Sequence, residues 1–380
     1  MNLNPLSLPI LSDLENIFIR KNLQSTLPEW DFPEGKKILY IIKRTEVCGG
    51  VETRLLQYAG ELAKHHCNVL FVIDKNKFPA LKKFRCLHLN FHAGNFESTL
   101  IDLIKHYRID IAELHIKGKR NLHLLDARRI KEHCRFGCCV HSNIPSLDPE
   151  RLNEMDYRIF ISDRLNQIDY SRLKSYHVLP IAITGQTPCW KWNGQRRALL
   201  ISRIRYDKCK QIESFVEYCK AKEIPFHIAG ATGSSRIAKK LIKRLSLQPE
   251  HFIGRIDNTP EFLTAHADEY LFVAGVGQVI LEAGSLGYPC FICSDLGPAY
   301  STFVTRQNIA QGFFRRNFTL AFRPKDNSFR PVTDFLPEEA ENYNLSAFMY
   351  EHYNIDNRFK QYKENILEMP SHASGENRKE

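Results

Sequence analysis

The chain has 380 residues, of which 43% are hydrophobic and 25% are charged, and its formal net charge is +10. This length suits two domains of ordinary size, and the hydrophobic fraction is enough to pack a core in each. Lys and Arg form no long block interleaved with aromatic residues, which disfavours a nucleic-acid-binding protein and leaves an anionic membrane surface or a phosphorylated ligand as the partner of the basic charge.

The eleven cysteines are odd in number and scattered through the predicted elements, which is typical of core thiols in a reducing compartment. Cys134, Cys138 and Cys139 lack a second close Cys or His pair at zinc spacing, so no metal site is predicted. The first residues do not form a signal peptide, and no run reaches about 18 uninterrupted apolar residues. We therefore expect a cytoplasmic protein, and leave open a peripheral position on the inner face of the membrane.

The first half begins with a predicted extension, residues 1–36, that includes an amphipathic helix at 11–23. Apolar runs of strand length then alternate with helix-period segments, as in parallel α/β proteins. The predicted strands are 37–42, 68–73, 86–89, 110–114, 137–141 and 157–162. The predicted helices are 51–65, 97–107, 122–133 and one that begins at Arg164.

The second half follows a link at 181–197 that is rich in Gly, Pro, Thr and Trp. Its predicted strands are 198–202, 226–229, 251–253, 270–273 and 290–293, and its predicted helices are 211–222, 235–245, 260–266 and 278–286. A loop at 324–342 and a helix at 345–367 complete the pattern.

These elements predict an α/β protein of two doubly wound, Rossmann-like domains that face a cleft. The predicted domains are 1–182 and 190–344, followed by a helical segment, 345–368, that can cross back to the N-terminal domain, and a disordered tail, 369–380. Ligands of such sheets bind at the carboxyl ends of the strands, so the site is expected in the cleft.

The segment 270–295 carries the strongest functional signal. A buried strand leads into a turn with Gly275 and Gly277, then a short helix and a second buried strand. This unit aims backbone N–H groups at one point, where the helix dipole favours an anion. Glu282 lies inside the otherwise apolar helix, and its carboxylate suits ribose hydroxyls because it only accepts hydrogen bonds. The unit therefore predicts a nucleotide site, with diphosphate at the helix start and ribose at Glu282.

The same segment resembles the donor-site motif of the retaining glycosyltransferases with the GT-B fold, especially family 4. That motif runs acid, Gly, x, Gly, four residues, acid, Ala, and then Gly-x-Pro. The residues in register are Gly275, Gly277, Glu282, Ala283, Gly287 and Pro289. Ala274 stands where the family has its first acid, which contacts the donor sugar.

Arg203 and Lys208 follow the first predicted strand of the second half. An Arg supplies a planar fork and a Lys a point charge, so this pair can hold a diphosphate from two directions. The pair resembles the family's Gly-Arg-Leu…Lys-Gly motif, which implies that it stabilises the leaving nucleoside diphosphate. Ser202 and Cys209 replace the two glycines of that motif. The alternative is a pair of solvated cations on a loop.

Other candidate residues lie at predicted strand ends. Gly49 and Gly50 open the first core helix and resemble the family's Gly-Gly-x-Glu turn against the donor. His141 matches the strand-end His that many members direct at the donor sugar. Gly230 and Arg255 resemble positions near the nucleotide and its base. For each of them, an ordinary turn or strand end is the alternative.

The resemblance implies a transferase that moves a sugar from a nucleotide-activated donor, a UDP-sugar, to a glycan or lipid-linked acceptor with retention, in bacterial surface polysaccharide synthesis. It implies roles in the reaction for His141, Arg203 and Lys208. No Asp-x-Asp motif occurs, so no metal or other cofactor is expected. The alternatives are a catalytically impaired relative that binds a nucleotide or glycan as an accessory protein, which Ala274 motivates, and another sugar-nucleotide enzyme such as an epimerase. A dinucleotide enzyme is disfavoured because no G-x-G-x-x-G follows the first strand.

Overall fold

The chain divides into two compact units. Unit 1 takes the described residues of Met1–Ile161, Leu165–Leu179 and Phe359–Glu380, and unit 2 takes those of Ser162–Arg164 and Pro180–Arg358. The structure, a computed structural model, describes residues 17–18, 27–45, 50–76, 78–117, 125–141, 147–162, 169–185, 187–192, 194, 197–230, 235–310, 318, 331–333 and 342–369. The division after Leu179 falls just before the predicted link at 181–197.

Unit 1 is built on a parallel β-sheet. Its described strands are β1 (Ile17–Phe18), β2 (Lys37–Arg44), β3 (Asn68–Lys75), β4 (Arg85–His88), β5 (Ile111–Ile116), β6 (Arg135–Val140), β7 (Tyr157–Phe160) and β8 (His177–Val178). They are hydrogen-bonded in the order β1-β4-β3-β2-β5-β6-β7-β8, and every neighbouring pair is parallel. Its α-helices are α1 (Gly50–Lys64), α2 (Phe96–Tyr107), α3 (Ala127–Lys131) and α4 (Pro149–Asn153).

The two faces of this sheet differ in polarity, because successive side chains of a strand point to opposite faces. One face packs an apolar core that includes Leu39, Ile41 and Leu114. The alternate residues carry buried polar groups, among them Glu113 and His115 of β5, which are 1% and 2% exposed. Buried polar groups require partners, so this second face is organised by hydrogen bonds as well as by apolar contact.

Unit 2 contains a second, smaller sheet. Its described strands are β9 (Arg197–Ile201), β10 (Phe226–Ala229), β11 (Phe252–Gly254), β12 (Tyr270–Gly275), β13 (Cys290–Ile292) and β14 (Thr302–Phe303). Their order is β11-β10-β9-β12-β13-β14, and all pairs are parallel except β13 with β14. Its helices are α5 (Cys209–Ala221), α6 (Ser235–Leu245), α7 (Thr259–Ala265), α8 (Gln278–Ser285), α9 (Arg306–Ala310) and α10 (Asn342–Tyr353).

The segment predicted as a helix at 345–367 is helical, but in pieces. After α10 come α11 (Ile355–Tyr362) and a π-helical turn (Lys363–Leu367), and the residues from Phe359 onward belong to unit 1. Short 3-10 helices occur at Pro79–Lys83, Tyr170–Arg172, Tyr206–Lys208, Pro249–His251 and Pro298–Tyr300. Among the described residues, no helix is both long and apolar enough to cross a bilayer.

The predicted N-terminal helix at 11–23 is wrong at Ile17–Phe18, which form β1. These two residues pair with Leu87 and His88 of β4, and hydrogen bonding to a sheet edge overrides a local helical period. Of the predicted helix at 122–133, residues 122–124 lie outside the described part of the chain, and the described part forms a helix at Ala127–Lys131. Asp126 caps its first turn by accepting from the Arg128 N–H at 3.0 Å. The helix predicted from Arg164 and the tail after residue 369 lie outside the described residues.

Candidate functional site

The candidate nucleotide site of unit 2 lies at the carboxyl ends of four neighbouring parallel strands. Ser202 and Arg203 follow β9, Gly230 follows β10, Arg255 follows β11, and β12 ends at Gly275. Because these strands are adjacent and parallel, their carboxyl ends meet at one edge of the sheet. The structure therefore brings five residues singled out in the sequence to the same edge.

Gly230 is required by the close approach of three strand ends. A Cβ atom at this position would lie 1.8 Å from the carbonyl oxygen of Ser202. The Gly230 N–H donates to the Gly254 carbonyl at 2.7 Å, and the Ser202 N–H donates to the Ala229 carbonyl at 2.9 Å. Only glycine permits this spacing, so the residue fixes the floor of the site rather than supplying a reactive group.

The turn between β12 and α8 also depends on glycine. Gly277 is the N-cap of α8 and has a φ of 67°, in the region that side chains disfavour. A Cβ on Gly275 would approach Val279 Cγ1 to 2.9 Å and the Ile201 carbonyl oxygen to 3.1 Å. The turn delivers the first N–H groups of α8 to the sheet edge beside β9, which is the arrangement that accepts an anion at a helix start.

Arg203 and Lys208 lie close enough to affect each other. Lys208 ends the 3-10 turn Tyr206–Lys208 and is half-buried, whereas Arg203 is exposed. Burial lowers the pKa of Lys208, the neighbouring Arg203 lowers it further, and Asp207 and Asp295 oppose the shift. Two cations that repel each other at a sheet edge gain from a shared anion, since a diphosphate placed between them relieves the repulsion.

Arg205 provides a contrast with Arg203. The Arg205 Nε atom lies 3.4 Å from a carboxylate oxygen of Asp207. Among the described residues, the Arg203 guanidinium has no carboxylate partner. Arg255, another predicted contact, is exposed and already forms an ion pair with Asp257. Of these three arginines, Arg203 is therefore the one best able to bind an added phosphate.

Glu282 is held by hydrogen bonds on α8. Gln278 Nε2 donates to Glu282 Oε1 at 2.9 Å. Burial raises the pKa of Glu282 to about 7, while hydrogen bonds from Gln278 and Thr259 oppose that rise. The carboxyl group is thus near its titration point at neutral pH. A ribose diol, which donates hydrogen bonds, would favour its ionised form.

Ala274 does not line this edge of the sheet. Its methyl group is fully buried and packs in an apolar cluster with Leu200, Phe272 and Phe291. The position that the family gives to a sugar-binding acid is therefore core in this chain. The alternation along β12 explains the difference, because a residue on that face of the strand points into the packing layer of α5.

The predicted residues of unit 1 lie at the carboxyl edge of its own sheet. Gly50 begins α1 just after β2, and His141 follows β6 with its N–H donating to the Ile116 carbonyl at 3.1 Å. Strand β5 separates β2 from β6. Gly49 lies outside the described residues. His141 is 6% exposed, and burial and the neighbouring His115 lower its pKa well below the ordinary value.

The sequence interpretation missed a buried polar group next to His141. His115 Nδ1 lies 2.9 Å from His141 Nε2, and His115 Nε2 lies 3.1 Å from Glu113 Oε1. Tyr157 and Tyr362 donate to Glu113 Oε2 at 3.2 and 3.1 Å. The available signal was the strand Ile-Ala-Glu-Leu-His-Ile, in which an acid and a histidine alternate with apolar residues of a buried strand.

Among the described residues, one group of buried side chains has a spacing that could ligate a metal. The ligand atoms of His115, Cys139 and His141 lie within 4.8 Å of one another, and all three residues are buried. The 2.9 Å between the two imidazole nitrogens is a hydrogen-bond distance. Arg54 also hydrogen-bonds Cys139, which places a cation beside the group. These contacts favour a hydrogen-bonded cluster.

No family model and no curated protein matches this sequence. Three similar solved structures are HepE from Anabaena in complex with UDP-glucose, the lipopolysaccharide outer core galactosyltransferase WaaB, and an α-glucosyltransferase in complex with UDP and a 13-mer DNA. The first is 14% identical with a TM-score of 0.60, covering 88% of this chain and 100% of its own. WaaB is 14% identical to this chain with a TM-score of 0.57, and the match covers 87% of this chain and 99% of WaaB. The α-glucosyltransferase is 13% identical with a TM-score of 0.55, and the match covers 88% of this chain and 100% of that enzyme. The chain therefore has the GT-B glycosyltransferase fold.

Proposed function

We propose that this chain transfers a sugar from a UDP-sugar to a glycan or lipid-linked acceptor with retention of anomeric configuration. The observation that carries the proposal is the carboxyl edge of the unit 2 sheet. Arg203 and the nearby Lys208 follow β9 there, and the glycine turn that opens α8 follows the neighbouring strand β12. Glu282 lies one helical turn further on. The edge combines cations for a diphosphate with a carboxylate for a ribose, and HepE, whose solved complex holds UDP-glucose, has the same fold.

Arg203 and Lys208 would act on the leaving group. As the bond from the sugar to the diphosphate breaks, negative charge grows on the phosphate oxygens. A planar guanidinium and an ammonium group placed on either side stabilise that charge in the transition state. The leaving phosphate can itself accept the proton of the acceptor hydroxyl, so this assignment needs no carboxylate nucleophile. We expect turnover to persist in the presence of a metal chelator.

The proposal is tested by thermal unfolding of the protein with UDP, GDP, ADP and their sugars. A ligand at about 100 times its Kd raises the free energy of unfolding by roughly 2.7 kcal/mol, so binding of UDP gives a clear rise in Tm. Release of UDP from the stabilising UDP-sugar, followed by NMR analysis of the anomeric proton of the product, then tests transfer and retention. Stabilisation by none of the nucleotides would contradict the nucleotide site.

An accessory binding protein is the second candidate, and the burial of Ala274 favours it. Without an acid at that position, the described residues at the unit 2 edge include no carboxylate corresponding to the family's sugar contact. Such a protein binds UDP with ordinary affinity but releases no UDP from any UDP-sugar. The two candidates therefore separate on turnover, not on binding.

The acceptor is proposed from the same comparison and from charge. WaaB acts on lipopolysaccharide, and an acceptor of that kind lies at a membrane surface. Helix α6 presents exposed cations at Arg236, Lys239, Lys240 and Lys243, while Leu241 packs into the core. Because its apolar side is already used, α6 would dock to anionic lipid by charge alone. Labelling of DNA instead of a glycan would contradict this acceptor class.

A further inference from the structure

An exposed acid lies at the same edge of the unit 2 sheet as the diphosphate site. Strand β13 is the parallel neighbour of β12, so its carboxyl end lies beside the glycine turn that opens α8. Asp295 follows shortly after β13 ends at Ile292. Its side chain is exposed and forms no ion pair with any cation that the structure describes. A negative charge at this edge opposes the binding of a phosphate, so it must affect which ligands bind.

Hydrogen bonds within unit 2 fix the position of Asp295. The Ser294 N–H donates to Ser301 Oγ at 3.0 Å, and the Leu296 N–H donates to Ser294 Oγ, also at 3.0 Å. Ser214 of α5 donates through its Oγ to the Ser294 carbonyl at 2.9 Å. These contacts tie the residues on both sides of Asp295 to the loop and to α5. The backbone is therefore held in place although the carboxylate is exposed.

Lys208 links this acid to the proposed diphosphate site. Lys208 is the N-cap of α5, the helix to which the loop of Asp295 is tied. Burial lowers the pKa of Lys208, and the charges of Asp207 and Asp295 oppose that shift. Arg203 and Arg205 add to it. Asp207 lies 3.4 Å from Arg205, so Asp295 is the acid of this group whose charge no ion pair among the described residues balances.

The donor and the product of the proposed reaction differ in charge at the terminal phosphate. In UDP this phosphate ionises a second time with a pKa of about 6, as a phosphate monoester does. In a UDP-sugar the same phosphate is esterified to the sugar and has no second ionisation. At pH 8 UDP therefore carries about one more negative charge than the UDP-sugar. A fixed negative charge beside the diphosphate repels UDP more strongly than it repels the donor.

We propose that Asp295 is a specificity-determining residue that lowers the affinity of the site for UDP relative to UDP-sugar, which favours release of the product over loss of the donor. The inference rests on the proposed function, because that function makes UDP-sugar the donor and UDP the product. Arg203 and Lys208 supply an attraction that both ligands share. Asp295 offsets it for the ligand with the extra charge, and needs no contact with the sugar.

A methyl ester of UDP isolates the effect of charge. In methyl-UDP a methyl group esterifies the terminal phosphate, so the compound has the charge of a UDP-sugar and lacks the sugar. Isothermal titration calorimetry at pH 8 gives the Kd of UDP and of methyl-UDP for each variant. Asp295→Asn should shift the ratio of the two affinities toward UDP about three- to ten-fold, the effect of a unit charge several ångströms away at a solvated edge.

Two further variants separate charge from shape and from position. Asp295→Glu keeps the negative charge and should keep a ratio near that of the wild type. Glu250→Gln removes an equal charge at an exposed position that precedes β11, which places it at the opposite, amino-terminal edge of the sheet, and it should leave the ratio unchanged. Equal shifts in Asp295→Asn and Glu250→Gln would contradict the inference, because net charge alone would then explain them.

Lowering the pH tests the origin of the discrimination. At pH 5 the terminal phosphate of UDP is mostly without its second charge, since the pKa is about 6. UDP and methyl-UDP then carry the same charge, so Asp295→Asn should shift the ratio less than at pH 8. The titration of Glu282 cancels in the ratio, because both ligands contain the same ribose. A shift of equal size at both pH values would overturn the charge mechanism.

The same titrations distinguish failure of this inference from failure of the proposed function. If neither UDP nor methyl-UDP binds the wild type, the nucleotide site is absent, and the proposed function and the role of Asp295 fall together. If both bind and Asp295→Asn leaves their ratio unchanged at pH 8, the nucleotide site stands and Asp295 has no part in discrimination.

Discussion

Tyr362, near the end of the described chain, donates a hydrogen bond over 3.1 Å to Glu113 in the middle of the unit 1 sheet. The tyrosine is fully buried, and its ring also contacts that of Tyr58 on α1 at 5.2 Å between centroids. Lys36 and Arg135 donate to the carbonyls of Leu367 and Ile366. The C-terminal segment is therefore part of the unit 1 structure and completes the hydrogen bonding of a buried acid.

Tyr362→Phe removes that hydroxyl without removing the ring. Because Glu113 loses a hydrogen-bond donor in a buried site, we expect the free energy of unfolding to fall by about 1–3 kcal/mol. Urea denaturation followed by far-UV circular dichroism measures the change. Tyr176→Phe, which alters a ring that is 37% exposed in the same unit, should change it little. Equal effects of the two variants would contradict the structural role of Tyr362.

If Arg203 and Lys208 bind the diphosphate, their replacement should weaken UDP binding more than replacement of the neighbouring Arg205. Arg203→Ala and Lys208→Ala should each weaken UDP binding about ten- to a hundred-fold, since a charge-assisted contact contributes about 1.5–3 kcal/mol. Arg205→Ala should leave the affinity near that of the wild type, because Arg205 pairs with Asp207. Isothermal titration calorimetry at constant pH measures all three. Unchanged affinity in the first two variants refutes the assignment.

Glu282 should make both stability and nucleotide binding depend on pH. Between its ordinary pKa of 4.5 and about 7, the folded protein binds more protons at this group than the unfolded chain does. Its contribution to stability is therefore present below that window and lost as pH rises through it. A ribose diol favours the ionised carboxylate, so UDP affinity should fall about ten-fold from pH 8 to pH 6 through this group.

The measurement compares the wild type with Glu282→Gln, which keeps the titration of the UDP phosphates but has no titrating carboxyl group. The ratio of the two UDP affinities should fall with decreasing pH. If the ratio is constant from pH 8 to pH 6, the ribose is not bound by the ionised form of Glu282.

Replacing the buried Ala274 with an acid should lower the stability of the protein and create no activity. Ala274→Glu would put a carboxylate into the apolar cluster around Phe272 and Phe291, which costs several kcal/mol unless the charge is neutralised. We expect a large fall in Tm and no new turnover. Leu296→Glu, at a position 40% exposed, adds the same charge and should be tolerated. A stable Ala274→Glu protein that releases UDP from a UDP-sugar would show that the side chain reaches the site.

The basic face of α6 predicts salt-sensitive membrane binding. Sedimentation with vesicles containing phosphatidylglycerol should show binding at low salt that disappears at high salt. Lys239→Glu with Lys243→Glu should abolish it, whereas Lys83→Glu with Lys105→Glu changes the net charge equally at exposed positions elsewhere and should weaken it less. Equal loss in both double variants would indicate attraction by net charge, without a specific surface.

The sequence by itself determined the elements whose signals are local. Strand β10 and helix α6 occur at the predicted residues, 226–229 and 235–245, because alternation and helical periodicity are properties of neighbouring residues. The glycines at 230, 275 and 277 were likewise readable, since a tight turn after a strand demands them. The parallel order of strands then brings Arg203, Gly230 and Gly275 to one edge.

Tertiary structure alone decided three other features. Residues 17–18 became a strand because β4 offers a parallel edge, a contact that periodicity does not encode. Ala274 became core because β12 lies between β9 and β13 with that face covered. Glu113, His115 and His141 lie together only because β5 and β6 pair in register, and Tyr362 joins Glu113 from the C-terminal segment. Long-range pairing sets which polar groups meet in a dry core, and a buried polar group depends on such neighbours for its hydrogen bonds.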